Sequence, residues 1–457
     1  MKLKPVKITR NLMLCIFIWI YICLNSMILF RNSDIRYAAN FLTMACIVAF
    51  AGRLKLYDST KMIMAMYLLL LSTTALGAGF QQDAYGFVQL CKVLLYFMLL
   101  FFVLSTSEHR QKTIETYMNI YLFISILISL QCIVLFFLVW FNCVEPKQIY
   151  YETIGGNKQS FGILGYGDAI NYFGNSQFLR TTSFFREPSK LGIFLIAPIL
   201  WTYAKYRETR EKKYLIYEGL LMFNFLATFS RAGYLAFAIG CASLFVFHTA
   251  FDKRKYEITP TKKMYATILV LCGAICFIVL GRFLYQFTQS EAEMYDKANS
   301  YENNAIMGMI NRSSAMESRY GNAFIRDDSN FETIFKKISE SPLGYGLGWS
   351  GREQEFNNPT ALGFWVYSGG YPAIIMIALI YVVLFYKYCL ACMYSGDLKM
   401  RMLGASFISI TIQNMSYGSW AEPYYLLVIS LMVLAVETKK RELNEACVHE
   451  KICAASS

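Results

Sequence analysis

Apolar runs of about 15 to 25 residues recur along the whole chain, the length a helix needs to cross a bilayer. Polar, basic or glycine-rich segments separate them. The pattern predicts an all-α polytopic membrane protein with about twelve transmembrane helices. The expected spans are residues 12–30, 37–51, 62–80, 85–104, 117–143, 191–206, 215–229, 232–250, 264–280, 361–386, 402–416 and 424–436. They make residues 1–457 a single integral membrane domain. Extracytoplasmic loops are expected at 144–190 and, between the ninth and tenth spans, at 281–360. The first run follows basic residues, as a signal peptide would. It is long enough to span and shows no clear small-residue cleavage site, so it is read as a retained helix.

Two turns are placed by charge. Residues 215–250 could form one long helix. Basic clusters lie before it, between Lys205 and Lys213, and after it, between Asp252 and Lys263. Both prefer the cytoplasm, so the chain must cross an even number of times between them. The turn then falls at Ser230-Arg231-Ala232-Gly233, on the outer side. The same parity folds 402–436 between Tyr417 and Pro423. Inside segments sum to about +14 and outside segments to about −2, in line with the net charge of +12. Basicity therefore reports orientation in the membrane, with both termini cytoplasmic, and gives no sign of nucleic-acid binding.

Composition agrees. The chain is 56% hydrophobic and 16% charged, with mean hydropathy +0.38; a soluble chain of this length carries more charge. Nearly all of the 13 cysteines fall in apolar runs or expected cytoplasmic segments, and only Cys143 approaches the outer side. They read as small hydrophobes. Cys389 and Cys392 have metal or redox spacing but no second pair, and are read the same way.

Candidate chemistry concentrates in three outer stretches. The first runs from Arg180 through Phe184, Phe185, Arg186, Glu187 and Pro188 to Ser189, just before a span. Arginines at helix ends often only anchor the interface. Here two are joined by Glu187, and Arg231 is expected on the same side. Guanidinium forks pair bidentately with phosphate oxygens, so the group suits a diphosphate. Arg231, at a short hairpin tip, could also cap the preceding helix. The third stretch runs from Arg312 to Gly370. Arg312 and Arg319 there have a surface salt-bridge network as their plain alternative. Phe324, Phe331, Ile334, Phe335 and Ile338 show helical apolar spacing, which predicts a helix lying over the bundle. Gly344, Tyr345 and Gly346 follow, with glycines suited to irregular backbone beside a ligand.

Lys92 lies inside the fourth span, as a substrate contact or a snorkelling side chain. Glu187, Asp168, Glu317, Asp327, Asp328 and Glu422 are the outer carboxylates that could accept a proton from a sugar hydroxyl. His109, His248 and His449 all map to the cytoplasmic side or near it. No outer cluster has metal-ligand spacing, and no phosphate-binding Gly-Lys-Ser/Thr loop is present.

Taken in order, Arg180 before Phe185-Arg186-Glu187-Pro188-Ser189, Ser230-Arg231-Ala232-Gly233 at a hairpin tip, and a long outer loop ending Ser341-Pro342-Leu343-Gly344-Tyr345-Gly346-Leu347-Gly348 form a pattern. It resembles the O-antigen polymerase and O-antigen ligase superfamily of bacterial envelope glycosyltransferases. The resemblance covers about half the chain, from Gln177 to Pro372, beside the overall topology. It implies a GT-C-like membrane architecture and a polyprenyl-diphosphate-linked oligosaccharide as substrate at the outer face of the bacterial cytoplasmic membrane. It implies no metal and no cofactor, with a flippase and a chain-length regulator as partners. Arg180 and Arg231 would contact the diphosphate, with Arg186 alongside, and Arg319 matches the arginine that precedes the glycine-rich element. Ligases carry a histidine before the tenth span. Here Asn358 takes that position, with Leu362 and Gly369 at the matching spacing, which favours a polymerase over a ligase. The competing reading from another class is a flippase, but symmetric halves are not evident.

The predicted sidedness has a direct check. Ser350→Cys should label with an impermeant thiol reagent from outside intact cells, and labelling only after permeabilisation would overturn the topology.

Overall fold

A computed structural model describes residues 9–27, 33–51, 54, 57–82, 84–105, 110–140, 150–151, 159–160, 170–173, 176–179, 181, 183–185, 188–228, 230–251, 331–347, 361–416 and 422–456. The fold is helical. In order come α1 (Arg10–Ser26), α2 (Ser33–Phe50), α3 (Asp58–Phe80), α4 (Ala84–Ser105), α5 (Arg110–Trp140), α6 (Pro188–Thr209), α7 (Lys212–Ala227), α8 (Arg231–Phe251), α9 (Phe331–Glu340), α10 (Ala361–Val383), α11 (Leu398–Ser416) and α12 (Pro423–Ser456). Helix α10 continues through a π turn, Leu384–Cys389, and a last α turn, Leu390–Met393. The expectation of an all-α chain needs one amendment. Two short antiparallel hairpins, Tyr150–Tyr151 with Gln159–Ser160 and Ile170–Phe173 with Ser176–Leu179, lie in the loop 144–190.

Helices occupy every expected span except 264–280, which lies outside the described residues. Among the described residues, three segments are by themselves long and apolar enough to cross a membrane: Asp58–Phe80, Gln111–Leu135 and Gly363–Met393. Shorter apolar helices are Arg10–Ser26, Tyr37–Phe50, Gln89–Ser105 and Gly233–Phe247. Helices α6, α11 and α12 are less apolar because they stand in the middle. Leu191 to Leu200 on α6, Met402 to Ile410 on α11 and Tyr424 to Ala435 on α12 are almost wholly buried. A helix wrapped by other helices can carry Thr202, Ser406, Ser409 or Gln413 without presenting them to lipid. The surrounding helices instead expose Phe41, Leu69, Leu95, Phe123, Phe223 and Ile375. Apolar exposure on that scale marks a surface meant for something other than water.

Both expected turns are present. Helix α7 stops at Ala227 and α8 starts at Arg231, with Ser230 accepting the Gly233 N–H on its hydroxyl at 3.2 Å as an N-terminal cap. Helix α11 stops at Ser416 and α12 begins at Pro423, a residue suited to a first turn because its missing N–H would be unpaired there anyway. The thiols of Cys389 and Cys392 are buried, and their sulfurs face the carbonyls of Gly404 at 3.6 Å and Met432 at 3.8 Å. They pack as small side chains, as read from the sequence.

Two prolines inside helices show how the bundle closes. Pro198 offers no N–H to the carbonyl of Phe194, four residues back. The Tyr121 hydroxyl of α5 donates to that carbonyl instead, at 2.7 Å. Pro372 likewise deprives Ser368. Beside it, Gly370 leaves helical geometry (φ 60°, ψ −149°), so the Tyr367 carbonyl also loses its partner. The glycine-rich segment after α9 repairs both. Tyr345 N–H donates to Tyr367 O at 2.7 Å and Gly346 N–H to Ser368 O at 2.9 Å. In return Tyr371 N–H donates to Pro342 O at 3.0 Å. The expected helix of the long loop is α9, and its Ile338 is buried with Val366 and Tyr367 of α10. Phe324 of that expectation lies outside the described residues.

The opposite end of the bundle, where α6 finishes and α11 starts, is held by charge. Lys205 and Lys399 both reach Glu115, at 3.3 and 2.5 Å, and Lys399 reaches Glu208 at 2.7 Å. Both ammonium groups also lie near 6 Å from the Trp201 ring, at 5.8 and 5.9 Å.

The glycine segment yields a stability prediction. Gly346 has φ +70°, and a Cβ there would meet the Ala78 Cα at 2.5 Å. Gly346→Ala should lower the melting temperature of the detergent-solubilised protein by the equivalent of more than about 1–2 kcal/mol. Gly396→Ala, where a Cβ meets nothing within 4 Å, should leave it unchanged.

Candidate functional site

The site is built where α6 starts and α7 ends. The stretch that leads into α6 is strapped to the end of α7. Thr181 N–H donates to the Ala227 carbonyl at 3.0 Å, and its hydroxyl donates to the Asn224 carbonyl, also at 3.0 Å. Both carbonyls belong to the last helical turn; that of Asn224 also accepts the Thr228 N–H at 3.1 Å. Asn224 is itself fixed by its amide, which donates to Ser129 O of α5 at 3.2 Å. Ser183 donates to Gln131 Oε1 of α5 at 2.6 Å.

Phe185 anchors the strap from below. It is 1% exposed, and its ring lies 5.0 Å from Phe194, which in turn meets Tyr121 at 4.8 Å and Tyr424 at 5.5 Å. Tyr121 also packs on Trp19, whose indole N–H donates to Tyr117 O. The pair Phe184-Phe185 therefore sets where the residues after it enter α6.

Helices α8, α11 and α12 complete the end. Gln413, fully buried, donates from Nε2 to the Ser189 carbonyl at 3.2 Å. The same nitrogen lies 3.4 Å from where a Cβ of Gly233 would be, so the first turn of α8 fits against it because Gly233 has no side chain. Lys190 of α6 pairs with Glu422, just before α12, at 3.1 Å. The Glu422 side chain is 9% exposed and that of Lys190 24%. Thr181, Ser183, Ser189, Thr228, Ser230, Gln413 and Glu422 are thus buried polar groups gathered at one end of a largely apolar bundle.

The structure brings together two of the three stretches singled out in the sequence. Thr181 adjoins Arg180, and Arg231 opens α8 four positions past Ala227. Arg180, Arg186, Glu187, Arg312, Arg319 and Asn358 lie outside the described residues, and of Arg231 only the backbone is described. The third stretch is seated on α3 and α10. Gly344 and Gly346 have φ +83° and +70°, and the space their Cβ atoms would need is filled by the backbone of Ser368 to Gly370 and of Ala78. Their close approach is to protein. Tyr345 is half-buried, its hydroxyl donating to Lys337 O at 3.0 Å. Lys92 lies on an exposed face of α4 with its ammonium 6.0 Å from the Tyr96 ring.

Sequence reasoning passed over Lys190, Gln413 and Asn414. The signal available was a carboxamide pair inside an apolar run. Glu422 was one of six carboxylates that spacing alone left equal. Among the described residues no group of His, Cys, Asp or Glu is placed to hold a metal ion. Comparison of the chain with protein-family models and with curated proteins gave no match.

The buried ion pair can be weighed directly. A double-mutant cycle with Lys190→Met and Glu422→Gln should give a coupling of about 1–3 kcal/mol in unfolding of the solubilised protein. Additive effects would mean that the pair is only a contact.

Proposed function

We propose that this protein polymerises polyprenyl-diphosphate-linked oligosaccharide repeat units into a surface polysaccharide at the outer face of a bacterial cytoplasmic membrane. The product is O-antigen, capsule or exopolysaccharide. The observation that carries the reading is the strap of Thr181 onto α7, which joins the stretch containing Arg180 to the turn that precedes Arg231. Two arginine-bearing stretches about fifty residues apart are thereby held at one end of the bundle. The remaining resemblance rests on the sequence order of the motifs.

In this reading the end of the bundle bearing the strap faces the outer leaflet. Arg180 and Arg231, with Arg186, hold the donor diphosphate and stabilise charge as it leaves. The acceptor hydroxyl oxygen bonds to the anomeric carbon of the donor sugar. The bond from that carbon to the phosphate oxygen breaks, and polyprenyl diphosphate departs with the electron pair. The hydroxyl proton passes to a carboxylate, for which Glu187 is the nearest candidate in sequence. Direct displacement inverts the anomeric centre. The segment from Arg312 to Gly370 covers the site and excludes water that would hydrolyse the donor. Asn358, where ligases carry histidine, favours polymerisation over transfer of finished polymer.

The test is the surface-glycan ladder, with its lipid-linked intermediates, in cells lacking the protein and in cells carrying Arg180→Ala or Arg231→Ala. Single repeat units without a ladder, with the variant proteins still in the membrane, are the expected result. A full ladder left on its lipid carrier would make the protein a ligase. Repeat units trapped on the cytoplasmic side would make it a flippase.

A further inference from the structure

Glu218 stands on α7 within an apolar run, and among the described residues it makes no hydrogen bond and no ion pair. It opens onto a groove of about 430 Å³ between α6 and α7, lined also by Tyr203, Tyr206, Leu215, Gly219 and Met222. A Cβ on Gly219 would meet nothing within 4 Å, so that side of the groove is open. Beside the groove α7 exposes Ile216, Phe223 and Leu226. An ionisable group inside a membrane helix marks a functional contact by default. A lysine there could lift its charge to the interface along its stem. The glutamate stem is two methylenes shorter and keeps the charge at depth.

A cation in the same situation lies on another face. Lys387 is exposed on the π turn that continues α10. Among the described residues its ammonium meets the Met62 sulfur at 3.9 Å and the Tyr388 ring at 5.4 Å, and no carboxylate. Turns of this type are rare and recur at functional sites. The helix leading to it exposes Tyr371, Ile375, Leu379, Val382 and Tyr386, spaced three and four apart and so on one side.

The two charges match in depth. Glu218 lies six residues after Lys212, where α7 starts, and Lys387 six residues before Met393, where the continuation of α10 ends. Each is about 9 Å in from its helix end, at 1.5 Å per residue. Both ends lie at the same end of the bundle, because Lys399 at the start of α11 meets Glu208 at the finish of α6. Within one chain the two do not meet. Helix α7 packs against α5 and α6, and α10 packs against α3, α9 and α11.

We propose that a second copy of this chain seats its α10 stripe in the α6–α7 groove, pairing Lys387 of one copy with Glu218 of the next. The two helices run antiparallel, because α7 starts at the end where α10 finishes. That pairing sets the register, and eight residues further along Leu226 faces Leu379. The Tyr386 ring and the Lys387 stem enter over Gly219, which has no side chain to block them. Different faces of each copy meet, so the contact is head-to-tail and closes as a ring rather than a two-fold dimer. A lipid fits the groove less well, because its headgroup stays at the interface and its chains would leave the carboxylate against hydrocarbon. The contact depends on the bundle spanning a membrane and is independent of the proposed chemistry.

The test uses the full-length protein, extracted with its native lipid in polymer nanodiscs and sized by native mass. Wild type should hold more than two copies. Glu218→Lys or Lys387→Glu alone should weaken association more than about tenfold, the loss of one interhelical polar contact. Both substitutions in one chain exchange the signs of the pair and should restore the wild-type size. A second measurement covers a reversed charge that stops insertion. Two differently tagged copies, one with Leu226→Cys and the other with Leu379→Cys, should cross-link on oxidation in native membranes, and neither should do so with a tagged wild-type copy. A monomeric wild type without that cross-link would overturn the proposal. So would an oligomer that both reversals leave unchanged. A loss that the exchange of signs does not restore would overturn it as well, and would give the groove to another protein or to lipid.

Discussion

Inside a bilayer there is no water to bond a backbone carbonyl that its own helix has abandoned, so every break in a helix must be repaired by a neighbour. Two breaks organise this molecule. At Pro198 the repair is a single hydroxyl, Tyr121, and it ties α5 to α6. At Gly370 and Pro372 the repair is a stretch of backbone, Pro342 to Gly346, and it ties the end of the long loop to α10. The second repair works only because Gly344 and Gly346 take left-handed backbone angles and bring their N–H groups against α3 and α10 without side chains between. A glycine-rich segment that resembles a ligand loop in sequence is, in the fold, part of the wall of a broken helix.

The same constraint explains the distribution of polarity. The outer helices expose apolar side chains. The central helices α6, α11 and α12 are shielded by them and can hold hydroxyl, amide and charged groups. At one end this yields the strap of Thr181, the Gln413 bridge and the Lys190–Glu422 pair. At the other it yields the pairing of Lys205 and Lys399 with Glu115 under Trp201. Hydroxyl and carboxamide contacts at one end and paired lysines and glutamates at the other make the bundle chemically asymmetric along its axis.

Asymmetry of this kind suits chemistry at one face. The residues that set the geometry of the proposed centre are largely uncharged: Thr181, Phe185, Asn224, Ser230 and Gln413. They fix backbone, and backbone decides where the flanking arginines begin. The Phe185–Phe194–Tyr424 stack supplies the rigid floor that such positioning requires.

Much of the architecture was legible in the amino-acid order. Run length located the helices, and charge parity placed the turns at Ser230 and before Pro423, because both follow from the cost of moving polar groups through hydrocarbon. The apolar spacing of Phe331, Ile334, Phe335 and Ile338 gave α9, and cysteines without partners packed as hydrophobes. Three things were decided only by the tertiary structure. The partners of Phe194 O and Ser368 O come from residues 73 and 22 positions away, and no local pattern encodes them. Glu422 meets Lys190, 232 positions away, because the start of α6 and the start of α12 come together at one end of the bundle. Glu218 and Lys387 stand out because neither meets an opposite charge among the described residues of its own chain, and that depends on every element packed around α7 and α10. Sequence reports what each residue carries, and the fold alone determines what each one meets.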